Sequence, residues 1–152
     1  MENLQTRKPI FLKLIVALGL LGVADSGYLT YKHYFGGPIP CSLTQGCEAV
    51  TTSQYSSVFN VPVSALGLFF YSLVVIIGLT ALIQYSRHHI HAVLALSFPA
   101  FVLSLFFVYI QLFVLRAVCL YCMVSAVLST LIFILTLLLF KKQRAVTIQN
   151  NN

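Results

Sequence analysis

The sequence predicts an all-α integral membrane protein, a bundle of four transmembrane helices. Three observations carry this. First, 59% of the 152 residues are hydrophobic and only 8% are charged, against about 25% charged in a typical soluble domain. A chain of 16.9 kDa folded in water needs a polar shell, because much of a small fold is surface. Nine basic and three acidic side chains do not make one. Second, the apolar residues gather in four runs, each long enough to cross about 30 Å of hydrocarbon at about 1.5 Å per residue. Third, the basic residues fall mostly at the ends of those runs, more on one side than the other. This composition excludes a free soluble enzyme, a disordered tail and a nucleic-acid binder. The net charge of +6 reads as the loop charge that orients a membrane protein.

The four runs span about residues 10–28, 61–83, 92–115 and 118–140. In lipid every backbone polar group has to be paired within its own segment, so each run is expected to be a helix. Pro9 and Pro62 fall near the starts of the first two, where a missing N–H costs least. Pro99 lies inside the third and is expected to kink it. The first run resembles the apolar part of a signal peptide, but Lys13 interrupts it and no convincing small-x-small cleavage site follows, so it is read as a retained helix. The chain contains no internal repeat and is read as a single membrane domain over residues 1–152.

Seven basic residues fall on one side: Arg7, Lys8 and Lys13, then Arg87 between runs two and three, then Lys141, Lys142 and Arg144. Lys32 and Arg116 fall on the other. Basic residues favour the cytoplasmic side. Both termini and the 84–91 loop are therefore expected in the cytoplasm, with the protein in the inner (cytoplasmic) membrane.

The four cysteines are Cys41, Cys47, Cys119 and Cys122. The first two lie in the long loop of about residues 32–60, and the others open the fourth run. Four crossings bring both places to one membrane face, which the charges put outside, where disulfides persist. Cys119-Leu120-Tyr121-Cys122 is a C-x-x-C at a helix N-terminus. Residues three apart share a helix face, and the unpaired N–H groups there stabilise a thiolate, the reactive species. The loop pair is flanked by Gly36-Gly37-Pro38 and Gly46. One pair on a glycine-rich loop and one fixed at the membrane surface suit a relay by thiol–disulfide exchange. Two inert disulfides, or a four-thiolate zinc site in a non-enzymatic membrane subunit, are the rival readings.

Taken with their neighbours, these residues resemble the vitamin K epoxide reductase family, in particular its prokaryotic disulfide-forming members. The resemblance covers about residues 10–140 and rests on Asp25-Ser26-Gly27-Tyr28-Leu29-Thr30, Cys41, Cys47, Thr52-Ser53-Gln54-Tyr55, Val61-Pro62-Val63-Ser64-Ala65-Leu66-Gly67 and Cys119-Leu120-Tyr121-Cys122. It implies a four-helix bundle around a membrane quinone, with a short helix in the first outer loop capping the site. It also implies a function: a quinone-dependent thiol oxidase that drives disulfide formation in exported proteins. Cys41 would exchange with a separate thioredoxin-like (DsbA-type) protein, Cys47 would pass electrons to Cys119, and Cys122 would lie against the quinone. Ser64 matches a polar position near the quinone. The animal vitamin K enzymes carry an asparagine at the start of span two and a tyrosine one turn after the C-x-x-C. Here Val63 and Ala126 stand in those places, so reduction of vitamin K epoxide or quinone in another pathway is the alternative activity. No thioredoxin-like domain follows the fourth run, which is why the partner is expected to be a separate protein.

Several other residues have a functional and a structural reading. Ala126 and Ser129 follow Cys122 at helical spacing and offer either a slot for a flat ring or plain helix packing. Ser64 is a quinone contact or a local backbone partner. Gln111, polar within the third run, is expected to face the bundle interior and reach a quinone carbonyl or a neighbouring helix. The aromatics crowding that run, such as Phe101 and Tyr109, read as core or lipid-facing groups. Asp25 is the only acid in a run, a capping or ion-pairing partner of Lys32 or Arg116, or part of a proton route. Arg116 is a thiolate neighbour of Cys119 or an interfacial anchor. His88, His89 and His91 read as a solvated turn on the opposite face from the cysteines.

Overall fold

The computed structural model describes residues 8–36, 46–58 and 61–150. Their order is α1 (Lys8–Phe35), a short α2 (Gly46–Thr51), strands β1 (Ser57–Val58) and β2 (Val61–Pro62), α3 (Val63–Ile83), α4 (Arg87–Tyr109), a π-helical turn (Ile110–Val114) and α5 (Leu120–Asn150). Four helices are long and apolar enough to cross a membrane, and the fold is an all-α four-helix membrane bundle. The strands form only a two-residue antiparallel ladder, Ser57 opposite Pro62 and Val58 opposite Val61. It ties the end of the loop between α1 and α3 to the start of α3.

The extensive helix contacts are α1 with α3, α4 with α5, α1 with α5, and α3 with α4, so the bundle closes into a ring. Lipid tails are as apolar as leucine, so close van der Waals packing has to hold such helices together, and small residues permit it. A Cβ on Gly19 would stand 2.8 Å from Val75 Cγ2, and one on Gly78 2.7 Å from Val16 Cγ2. Leu20, Leu21, Phe69, Ile76, Ile83 and Phe113 point outward, an apolar belt that suits hydrocarbon.

The two ends of the bundle differ. The end where α1 begins is filled by Leu12, Ile15, Ala81, Ile90, Ile132 and Leu139. The other end holds a cavity under α2. Three sequence expectations change here. The first helix runs on to Phe35, so Lys32 lies in its last turn. The third helix begins at Arg87, so His88, His89 and His91 lie on its first turns and not in a loop. His91 Nδ1 is 2.7 Å from the Arg87 carbonyl oxygen, which is a helical i, i+4 contact. The expected 92–115 helix gives way to a π-turn after Tyr109, where Gln111 is recruited to hold the next segment. Pro99 lies inside α4, whose helical run continues through it.

Candidate active site

The site begins with an approach that only glycine permits. Gly46 opens α2 against the backbone of the segment before α5. A Cβ there would stand 2.8 Å from both the N and the O of Val118. Each of these residues is followed by a cysteine, so the contact brings Cys47 and Cys119 to the same place, and both are fully buried. Cys47 is disulfide-bonded, and its carbonyl accepts a 2.8 Å hydrogen bond from Thr51 Oγ1. Cys41 lies outside the described residues. Cys119 and Cys122 are free thiols.

Cys119 occupies the N-cap of α5, the position whose side chain ordinarily accepts an N–H from the first turn. Its carbonyl accepts the first helical bond, from Met123 N–H at 3.0 Å. Its sulfur accepts the Cys122 N–H at 3.4 Å. It stands just before the membrane-crossing stretch, which begins at Leu120. Its thiol is lowered to about 7, chiefly by a hydrogen bond from the Cys122 side chain, with help from the Cys122 and Tyr121 backbone and against the effect of burial. Cys119 is thus the thiolate of the pair, stabilised by its own helix terminus. Arg116 does not share in this. It is exposed and is the one described non-glycine residue with a positive φ, 48°, at the sharp reversal between the π-turn and Cys119.

That reversal is held by one residue. The Gln111 carbonyl accepts Ala117 N–H at 3.1 Å, and Gln111 Oε1 accepts Cys119 N–H at 2.9 Å. Gln111 is buried and also borders the cavity. Its side-chain oxygen is therefore committed to Cys119, and its NH2 group is the part left to meet a ligand.

The cavity is about 910 Å³ and is bordered by all four long helices and by Val50, Thr51 and Ser53 of the cap. That is at the upper end of ligand-pocket size, about 300–1,000 Å³. Most of its wall is apolar, with Leu29, Phe70, Leu103 and Phe107 among the lining residues. Cys122, Ser64, Gln111 and Ala126 all line it, with Val63 and Ser129. Of the sequence-predicted residues, Cys122, Ser64, Gln111 and Ala126 thus border one space, while Cys47 and Cys119 are buried at the cap. A flat ring with an apolar tail fits such a chamber: oily walls, a few polar groups and a thiol at the edge. Of the span-three aromatics, Phe106 and Phe107 reach the cavity, Phe101 stacks on Phe133 with centroids 5.0 Å apart, and Tyr109 and Phe113 are exposed.

Two features were missed in the sequence. Tyr71 is almost fully buried. Its hydroxyl donates to the Ser125 carbonyl at 2.7 Å and lies 3.0 Å from Ser125 Oγ, while its ring occupies the space a Cβ on Gly22 would need. Its signal was legible: it follows Ser64 by seven residues, two turns down the same face, and a buried tyrosine needs a partner for its hydroxyl. The second is a serine pair, Ser104 Oγ and Ser129 Oγ at 2.8 Å, which links α4 to α5 at the cavity wall. Asp25 also lines the cavity, and its Oδ2 is buried without a hydrogen-bond partner. The expected pairing with Lys32 is not formed at that oxygen; the Lys32 ammonium lies 5.9 Å from the centroid of the Tyr28 ring.

Residues 13–137 match the vitamin K epoxide reductase family, which takes in α3, α4, most of α1, the first part of α5, the cap and the C-x-x-C. The chain belongs to the vitamin K epoxide reductase family. Membership makes this protein a multi-pass membrane oxidoreductase of a family whose chemistry is quinone-linked thiol–disulfide exchange. A comparison with curated proteins returns no match.

Proposed function

We propose that this member of the vitamin K epoxide reductase family is a quinone-dependent thiol oxidase that drives disulfide formation in exported proteins. One observation carries the reading. The C-x-x-C straddles two environments: Cys119 is sealed beneath the cap that carries Cys47, and Cys122 opens onto the apolar cavity. A pair so placed is suited to take electrons on one side and give them up on the other.

The relay has two stages. A reduced thioredoxin-like protein of the DsbA type reduces the Cys41–Cys47 disulfide by exchange at Cys41. Cys47 then attacks Cys119 in an oxidised Cys119–Cys122 pair, and Cys122 leaves with one proton. Cys41 attacks Cys47 and releases Cys119. A thiol of low pKa is the better leaving group, so the helix terminus that steadies the Cys119 thiolate favours this release. The resulting state, Cys47 disulfide-bonded with Cys119 and Cys122 as thiols, matches the thiol state in the structure. A membrane quinone (ubiquinone, menaquinone or a relative) supplies the two-electron acceptor when bound. Ser64 and Ala126 border its ring, Gln111 offers its NH2 group, and the cap with the apolar wall excludes water. The asymmetry of seven basic residues against two supports an orientation with this chemistry on the outer face of the cytoplasmic membrane and both termini inside.

The test is by thiol replacement. Cys119→Ser or Cys122→Ser abolishes oxidation of a thioredoxin-like partner while membrane insertion is unchanged. Cys41→Ser blocks transfer from that partner yet leaves Cys119 and Cys122 able to react with a small dithiol. Partner oxidation persisting in both Cys119 and Cys122 variants would sink the relay.

A further inference from the structure

We propose that Asp25 is the proton-transfer group of the cavity, carrying a proton between the Cys122 thiol and an oxygen of the quinone. The inference rests on the quinone reading above and adds to it the route of the protons.

The chemistry requires such a route. Closing the Cys119–Cys122 disulfide forms one S–S bond and yields two electrons, and the thiol proton of Cys122 has to leave. The quinone acceptor takes up the two electrons and two protons. Cys122 borders a chamber whose wall is mostly apolar, so few groups there can pass a proton.

Asp25 is the acidic residue placed to do it. The chain has three acids, Glu2, Asp25 and Glu48, and of these Asp25 is the one within a membrane-crossing helix. Its carboxyl borders the same cavity as Cys122. One carboxyl oxygen, Oδ2, is buried there with no hydrogen-bond partner. A buried polar atom left without a partner costs stability, so a structural capping role does not account for it. A transferable proton, shared with a bound quinone oxygen, does. The titratable groups around it are few. Cys119, Cys122, Tyr71 and Tyr121 lie within reach of its charge, and Lys32 and His33 border the cavity about two turns further along α1. Asp25, Leu29, Lys32 and His33 thus form one helix face that leads from the chamber to the outer surface, where the second proton enters.

Asp25 is also the single aspartate in the chain, so labelling aspartate carboxyls with carbon-13 reports on this residue alone. The experiment is reduced-minus-oxidised infrared difference spectroscopy on the labelled wild-type protein in lipid, with a small dithiol as reductant and no quinone added. A carboxyl C=O band that appears or shifts with the state of Cys119–Cys122, and that moves with the label, is expected. No labelled carboxyl signal overturns the proposal. In parallel, Asp25→Asn is expected to slow quinone reduction by about a hundredfold, the usual worth of a positioned acid or base. Small weak acids are expected to restore part of that rate, and Asp25→Glu to keep most of it. Asp25→Asn reducing quinone at the wild-type rate overturns the proposal. Wild-type protein that reduces no quinone but shows the labelled band refutes the quinone reading and leaves Asp25 as a proton carrier for the thiols.

Discussion

Cys119 is the residue on which the proposed chemistry turns, and its thiolate is a property of its position. An N-cap sulfur accepts a backbone N–H that no helical carbonyl can reach, and the neighbouring thiol adds a second donor. The folded value of about 7 lies below the ordinary thiol value, about 8.5. The thiolate therefore stabilises the fold above the ordinary value, and that contribution is lost as pH falls through about 7. In the reduced protein, the ultraviolet thiolate absorbance missing from a Cys119→Ser control is expected to rise with a midpoint near 7. A midpoint at or above the ordinary thiol value would contradict the N-cap account. Gln111 is the matching test from the other side. Gln111→Leu leaves the Cys119 N–H buried without its acceptor and is expected to cost about 1–3 kcal/mol, read as a lower denaturation midpoint in detergent. An unchanged midpoint would mean that the 2.9 Å bond does not hold the reversal.

Two short elements, the cap helix and the π-turn, do the positioning, and they differ in how far the sequence reveals them. The four long helices were legible because an apolar run in lipid has one way to satisfy its backbone. The C-x-x-C at a helix start was legible for the same reason, since the fourth run begins where the motif falls. The cap helix was expected only through the family resemblance. A six-residue helix, Gly46–Thr51, is too short to show a period, and it stands by tertiary contact rather than by propensity. The π-turn was not legible at all. Residues 110–114 read as more helix, and nothing local announces that Gln111 will bond Ala117 and Cys119 across the reversal. The histidines at 88, 89 and 91 read as a loop because polar residues between two apolar runs resemble a turn, yet α4 begins at Arg87 and carries them on its first turns. The cap can be tested by steric means. Gly46→Val puts a side chain where the Val118 backbone lies and is expected to slow electron transfer from the loop cysteines to Cys119 about tenfold or more, on the order of 1.4 kcal/mol in barrier. Direct reduction of Cys119–Cys122 by a small dithiol should continue. Unimpaired transfer from a partner protein would show that the cap tolerates displacement.

At the scale of the whole molecule, the bundle is packed at one end and hollow at the other. Small residues let α1 and α3 close around the packed end, and the cap roofs the hollow end. The low charge noted at the outset has the same root as the function, since the apolar residues that place the chain in lipid also wall the chamber. The one acid in the membrane-crossing helices borders that chamber, and the few cations fall mostly toward the helix ends. The central claim is that electrons leave Cys122 through this cavity. It is tested most directly by following the absorbance of a quinone mixed with detergent-purified protein and a reduced thioredoxin-like protein. The account predicts one quinone reduced per disulfide formed in the partner, with no reduction when Cys122 is replaced by serine. Quinone reduction undiminished in Cys122→Ser, or partner oxidation that proceeds with the quinone left unreduced, would contradict it.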